Sequence, residues 1–140
     1  MALMRLLAVV LLAAGLLAQA PAELFEKAPP DVDAALRERV RLFYQAHVDG
    51  KFRLADSVVH EDSKDAYFAA EKTRYKGFEI IRINYSENFT RARVVTAVVT
   101  DFAMPGFPSA EARVPVTTLW RLDGGEWWWY VEPPAQGRQT

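Results

Sequence analysis

The sequence predicts an α+β domain in which N-terminal helices pack on an antiparallel sheet of about four strands. Three observations predict it. Apolar residues recur at helical spacing from Asp33 into the early seventies, and the period changes to two after Gly77. A Gly124-Gly125 pair then separates two strand-like segments near the C-terminus.

The first 22 residues stand apart. "MALMRLLAVVLLAAGLLAQAPA" has one Arg, an unbroken apolar run from Leu6 to Ala18, and then small residues. That is the pattern of a secretory signal, and the run is short for a membrane span of ~20 residues. Cleavage after Ala20 would leave Pro21 beside the cut, so the exit Ala20-Pro21-Ala22, which leaves Glu23 first, is favoured. The chain has no Cys, which excludes a lipid-attached bacterial lipoprotein and any disulfide. Residues 23–32 read as a leader segment, 33–133 as the folded domain and 134–140 as a tail. The mature chain of about 118 residues suits one domain with its own core.

Within the domain, Asp31 or Asp33 supplies an N-cap to "DAALRERVRLFYQAHVDGK". Leu36, Val40, Phe43 and His47 form one stripe, with Arg37, Arg39 and Arg41 outside it, and Gly50 ends the helix. "KFRLADSVVHED" predicts a second helix through Phe52, Ala55, Val58 and Val59. Asp62, with Asp65 three residues on, marks the start of a third, "SKDAYFAAEK". "FEIIRINYS" then alternates Ile81, Ile83 and Tyr85 against Phe78 and Ile80. "RARVVTAVVTDFAM" and "ARVPVTTLWRL" supply β-branched strands. Ser86 to Thr90 is a hairpin loop that carries the glycosylation triplet Asn88-Phe89-Thr90. With Gly124-Gly125 as a two-residue turn, Asp123 faces Glu126, Leu122 faces Trp127, Trp120 faces Trp129 and Thr118 faces Val131. Trp127 and Trp129 then share a face with Trp120, while Trp128 and Tyr130 share the opposite face with Leu119 and Arg121. The run "EWWWY" is therefore first a core-forming strand.

With 17 Lys and Arg against 18 Asp and Glu, one of the basic residues lying in the signal, the chain offers no basic excess to recruit nucleic acid or an anionic membrane. Two His, no Cys, and adjacent side chains at His60-Glu61-Asp62 give no metal-ligand spacing, and no cofactor is expected. A phosphate-cradling glycine loop and a G-x-S-x-G elbow are both missing from the sequence.

Three helices followed by hairpin-joined strands, carried by "VRLFYQAHVDGKFRLADSVVHED" and "TTLWRLDGGEWWWYV", resemble the NTF2-like superfamily. "HEDSKDAYFAAEKTRYKGFEIIRINYSENFT" is similar to secreted bacterial members of that superfamily without known activity. The resemblance implies a strongly curved sheet, a cone (also called cystatin-like) with a pocket between sheet and helices, and a convex face that often pairs two subunits. It implies an exported, periplasmic or extracellular protein, off the membrane once the signal is removed. Counted from Gly50, the catalytic tyrosine position of the isomerases in this superfamily falls on Phe43 and the aspartate position near Tyr67. The isomerase pair is therefore absent.

Three functional readings follow. In the first, the domain is non-catalytic, and Phe43, Tyr44, His47, Tyr67, Tyr85 and Trp129 line a pocket for a small apolar molecule or simply fill the interior. A second reading is a module that forms a homodimer or docks a partner through Leu119, Trp128 and Tyr130. The third is a lyase or isomerase with His47, His60 or Asp101 as base. Each base has a structural alternative: His47 as a buried ring bonded to a backbone carbonyl, His60 with Asp62 as helix end and cap, and Asp101 as a solvated strand-end carboxylate.

Overall fold

The structure is a computed structural model, and it describes residues 27–133; the signal, the first part of the leader (residues 23–26) and the tail expected from the sequence lie outside them. The order is α1 (Pro30–Asp49), α2 (Phe52–Asp56), a 3-10 turn (Glu61–Ser63), α3 (Lys64–Ala69), β1 (Gly77–Ser86), β2 (Arg91–Phe102), β3 (Ala110–Asp123) and β4 (Glu126–Tyr130). The four strands form one antiparallel sheet in the order β1-β2-β3-β4. Helices preceding an antiparallel sheet make the chain α+β. No described helix is long and apolar enough to cross a membrane.

Neither Asp31 nor Asp33 is the N-cap: helix α1 starts before both, capped by Pro29 without a side-chain hydrogen bond and with Pro30 at its first position, where a missing N–H costs nothing. Asp33 sits inside the helix, bonded to Arg37 Nε at 2.7 Å and accepting a hydrogen bond from Tyr85 Oη at 2.6 Å. At the other end Gly50 takes the left-handed conformation, φ 70°, and Lys51 N–H closes on the Ala46 carbonyl at 2.8 Å. The stripe Leu36, Val40, Phe43, Tyr44 and His47 is buried. It packs on the inner face of the sheet among Ile83, Tyr85, Val94, Val98, Trp120 and Trp127.

The second helix is shorter than its sequence predicts. It stops at Asp56, Ser57 and Val58 form a turn, and Val59 bridges to Trp129 of β4. Trp129 N–H donates to the Val58 carbonyl at 2.9 Å, and His60 N–H donates to the Trp129 carbonyl at 2.8 Å. Two β-branched residues have little helical preference, and an edge strand has a row of polar groups to satisfy, so the pairing wins.

The last hairpin has the expected register. Gly124 and Gly125 both have positive φ, 61° and 80°, and Asp123, Leu122 and Trp120 pair with Glu126, Trp127 and Trp129. Trp120 and Trp127 are fully buried, and Trp120 Nε1 donates to Thr118 Oγ1 at 3.0 Å. The ladder ends one pair early, at Leu119–Tyr130, because Val131 N–H turns away to Ser63 Oγ. Pro115 lies where β3 has a partner on one side only, so its absent N–H breaks no ladder.

Strand β1 corrects the simple alternation. A bulge between Ile80 and Arg82 shifts the parity. Phe78, Ile80, Ile83 and Tyr85 all pack on the core, and Ile81, expected with Ile83, is exposed. The β1–β2 turn is equally irregular, since Glu87, Asn88 and Phe89 have φ of 49°, 54° and 61°. Such residues cost on the order of 1–3 kcal/mol each. The Phe89 ring packs on the core beside Tyr85, and Thr90 Oγ1 donates to the Glu87 carbonyl, which offsets that strain.

The bulge makes two neighbouring isoleucines behave oppositely. Ile83→Ala is expected to lower stability by about 2–5 kcal/mol, and Ile81→Ala by no more than about 0.5 kcal/mol. Urea unfolding of the two variants checks this, and equal losses would contradict the parity shift.

Candidate functional site

Of the six residues expected to line an aromatic pocket, five pack on one another. Phe43 stacks on Trp129 at 5.8 Å and 16°, and meets Trp120 at right angles. Tyr67 meets Trp129 edge-on at 5.5 Å, and Tyr44 stacks on Phe78 at 5.6 Å. Tyr85 lies apart, bonded to Asp33 and edge-on to Trp127. Phe43, Tyr44, His47, Tyr67 and Tyr85 are all buried.

His47 is the polar centre of this cluster. Its Nδ1–H donates to the Thr73 carbonyl at 3.0 Å, which leaves Nε2 to accept from Tyr67 Oη, also at 3.0 Å. Burial pulls the imidazole below its ordinary value of 6.5, against the Thr73 carbonyl and with help from nearby Lys72. Burial pushes the Tyr67 phenol up to about 12. Both members of the pair are therefore neutral near pH 7. Lys72 covers the Tyr67 ring at 4.7 Å while donating to the Tyr67, Phe68 and Ala70 carbonyls at the end of α3. Tyr44 is likewise pushed up to about 12 by burial, against the pull of the Thr118 and Thr96 hydroxyls.

His60 belongs to a second network. Its Nδ1 accepts from Asp62 N–H at 3.1 Å, so the imidazole ring, not the Asp62 carboxylate, caps the 3-10 turn. The remaining Nε2–H donates to Asp123 Oδ2 at 2.8 Å. Arg121 lies against the same ring and bonds Asp62 Oδ2 at 2.9 Å. The hydrogen bond from His60 holds the exposed Asp123 carboxyl below the usual carboxylate range. Beside His60 a recess of about 490 Å³ opens toward Lys64, Asp123 and Trp128. Asp101, the third candidate base, is exposed and pairs with Lys76 at 3.0 Å.

The larger recess, about 1140 Å³, lies over the outer face of the sheet, away from α1. Its floor carries Arg82, Arg91, Arg93, Leu119, Arg121 and Tyr130, and α3 with residues 131–133 forms a wall. None of the six aromatic-pocket candidates lines either recess. Two of the three interface candidates, Leu119 and Tyr130, do line the larger one. Trp128, the third, is half-buried: its Nε1 donates to the Asp123 carbonyl at 3.0 Å, and the Arg39 guanidinium covers its ring at 4.7 Å. Composition and spacing alone do not single out the outer arginines as a group. The signal that could have found them is the alternation of Arg91 and Arg93 on one strand, in register with Arg121 on the next.

Among the described residues no three His, Asp or Glu side chains are grouped to hold a metal ion. No family model, curated protein or solved structure matches this chain.

Burial that disfavours the charged His47 ring makes the stability of the fold depend on pH. The unfolded chain binds a proton near pH 6.5 that the folded state refuses, so this stability is fully present above that pH and lost as pH falls through the folded value. The urea midpoint of the protein is expected to drop between about pH 7 and pH 5. His47→Gln, which keeps hydrogen bonds without a titrating proton, is expected to flatten that slope. An unchanged slope would remove His47 as its source.

Proposed function

We propose that the chain is an exported NTF2-like domain that binds a small molecule without transforming it, and that its ligand occupies the recess on the outer face of the sheet. In this reading the sheet is the bent wall of the NTF2-like cone, and the ring cluster around Phe43 and Trp129 is its filled interior. One observation carries the reading: the larger recess lies on the arginine-bearing face, whereas the buried rings pack on one another.

The proton chemistry of the candidate bases supports a non-catalytic role. A general base needs a free lone pair within reach of substrate. His47 uses one nitrogen on Thr73 and the other on Tyr67; His60 uses its two on Asp62 and Asp123. Asp101 is paired in solvent. The homodimer reading through Leu119 and Tyr130 is weaker on electrostatic grounds, because a two-fold contact over this face would set its arginines against their own copies.

Native mass spectrometry of the protein recovered from its own cells tests the proposal. It is expected to carry a small molecule that is released chemically unchanged. Leu119→Trp, which fills the floor without altering charge, is expected to cut retention about tenfold while the far-ultraviolet circular dichroism stays the same. Full retention by that variant, or a molecule converted on incubation, would overturn it.

A further inference from the structure

Four guanidiniums share the outer face of the sheet. Arg91 on β2 stands directly opposite Arg121 on β3. Arg93 pairs with Asn84, and Val95 with Arg82, so Arg82 and Arg93 are diagonal neighbours across β1 and β2. Arg91 and Arg93 are two residues apart on one strand, about 6.7 Å. Like charges placed this way destabilise a sheet unless something offsets them.

Two of the four are offset within the chain. Arg91 pairs with Glu87 at 3.4 Å, and Arg121 with Asp62 at 2.9 Å. Both also lie over the Tyr130 ring, at 5.0 and 5.8 Å. Arg82 and Arg93 have no ion-pair partner among the described residues, and both are exposed on the recess. The Asn84 and Ser86 side chains line the same recess beside them.

We propose that this recess takes a ligand with an oxyanion head, a carboxylate or a phosphate, which Arg82 and Arg93 bind. The inference rests on the reading that the recess is the ligand site, and it names the ligand's chemistry. Arginine forks match planar or tetrahedral oxyanions through paired N–H bonds, and Asn84 and Ser86 add uncharged donors. The remaining charges on the recess limit the ligand's size. Asp65 on α3 and Glu132 after β4 have no salt-bridge partner among the described residues, and both belong to the wall across from β1. A long polyanion would run its charges past those carboxylates, whereas a small molecule with one anionic head meets only the arginines.

Isothermal titration of the mature chain with phenyl phosphate, benzoate and the neutral benzamide tests this. One or both anions are expected to bind saturably, more weakly as salt rises from about 20 to about 200 mM. The tighter of the two identifies the head group. Arg82→Gln/Arg93→Gln is expected to weaken binding by about tenfold or more. Lys51→Gln/Arg53→Gln, which removes the same charge elsewhere, is expected to leave it unchanged. Equal losses in the two double variants, or no loss in the first, would overturn the proposal. If benzamide binds as well as benzoate and Leu119→Trp abolishes both, the recess is the ligand site and the oxyanion inference is wrong. If no probe binds and the native protein carries no molecule, both readings fail.

Discussion

Side-chain parity on the sheet is the constraint on which the rest of this structure depends. Neighbouring residues of a strand point to opposite faces, so a slip of one residue would carry Trp120, Trp127 and Trp129 out of the core and bring Arg121 in. The Gly124-Gly125 turn fixes that parity for β3 and β4. The bulge at Ile80–Arg82 resets it for β1, which returns Ile83 and Tyr85 to the helix side and leaves Arg82 outside. The same two devices that assemble the core therefore assemble the arginine face.

Much of this was legible in the residues. The stripe on α1, the Gly50 cap, the change of period and the pairing of the tryptophans all rest on local rules, and all are present. What was not legible depends on partners distant in sequence. Val58 and Val59 leave the helical pattern because β4 needs an edge partner, and His60 replaces Asp62 as the cap because its ring is held between Asp62 and Asp123. The bulge has no marker in "FEIIRINYS", where either parity places isoleucines inside. For the candidate site, Phe43 and His47 were visible as apolar-stripe residues, yet spacing alone could not distinguish a lined hollow from a packed core. The outer arginines needed the register of three strands before they became neighbours.

Both imidazoles are held by geometry in a single tautomer. For His47, the Thr73 carbonyl takes the proton on Nδ1 and Tyr67 then has one place to donate. For His60, the backbone N–H of Asp62 takes the Nδ1 lone pair and leaves Nε2–H for Asp123. The rings serve as struts: one ties α1 to the end of α3, and the other ties the 3-10 turn to the β3–β4 hairpin.

The β1–β2 turn has a consequence for production of the protein in other hosts. Its Asn88-Phe89-Thr90 triplet is an acceptor sequence for N-linked sugar, yet in the closed turn the Thr90 hydroxyl is held by the Glu87 carbonyl at 2.6 Å and Asn88 is left-handed. A glycosyltransferase needs that stretch extended, with the hydroxyl available. In a eukaryotic secretory pathway, sugar at Asn88 would therefore record chains met by the transferase before the hairpin closed, a clock for folding during translocation.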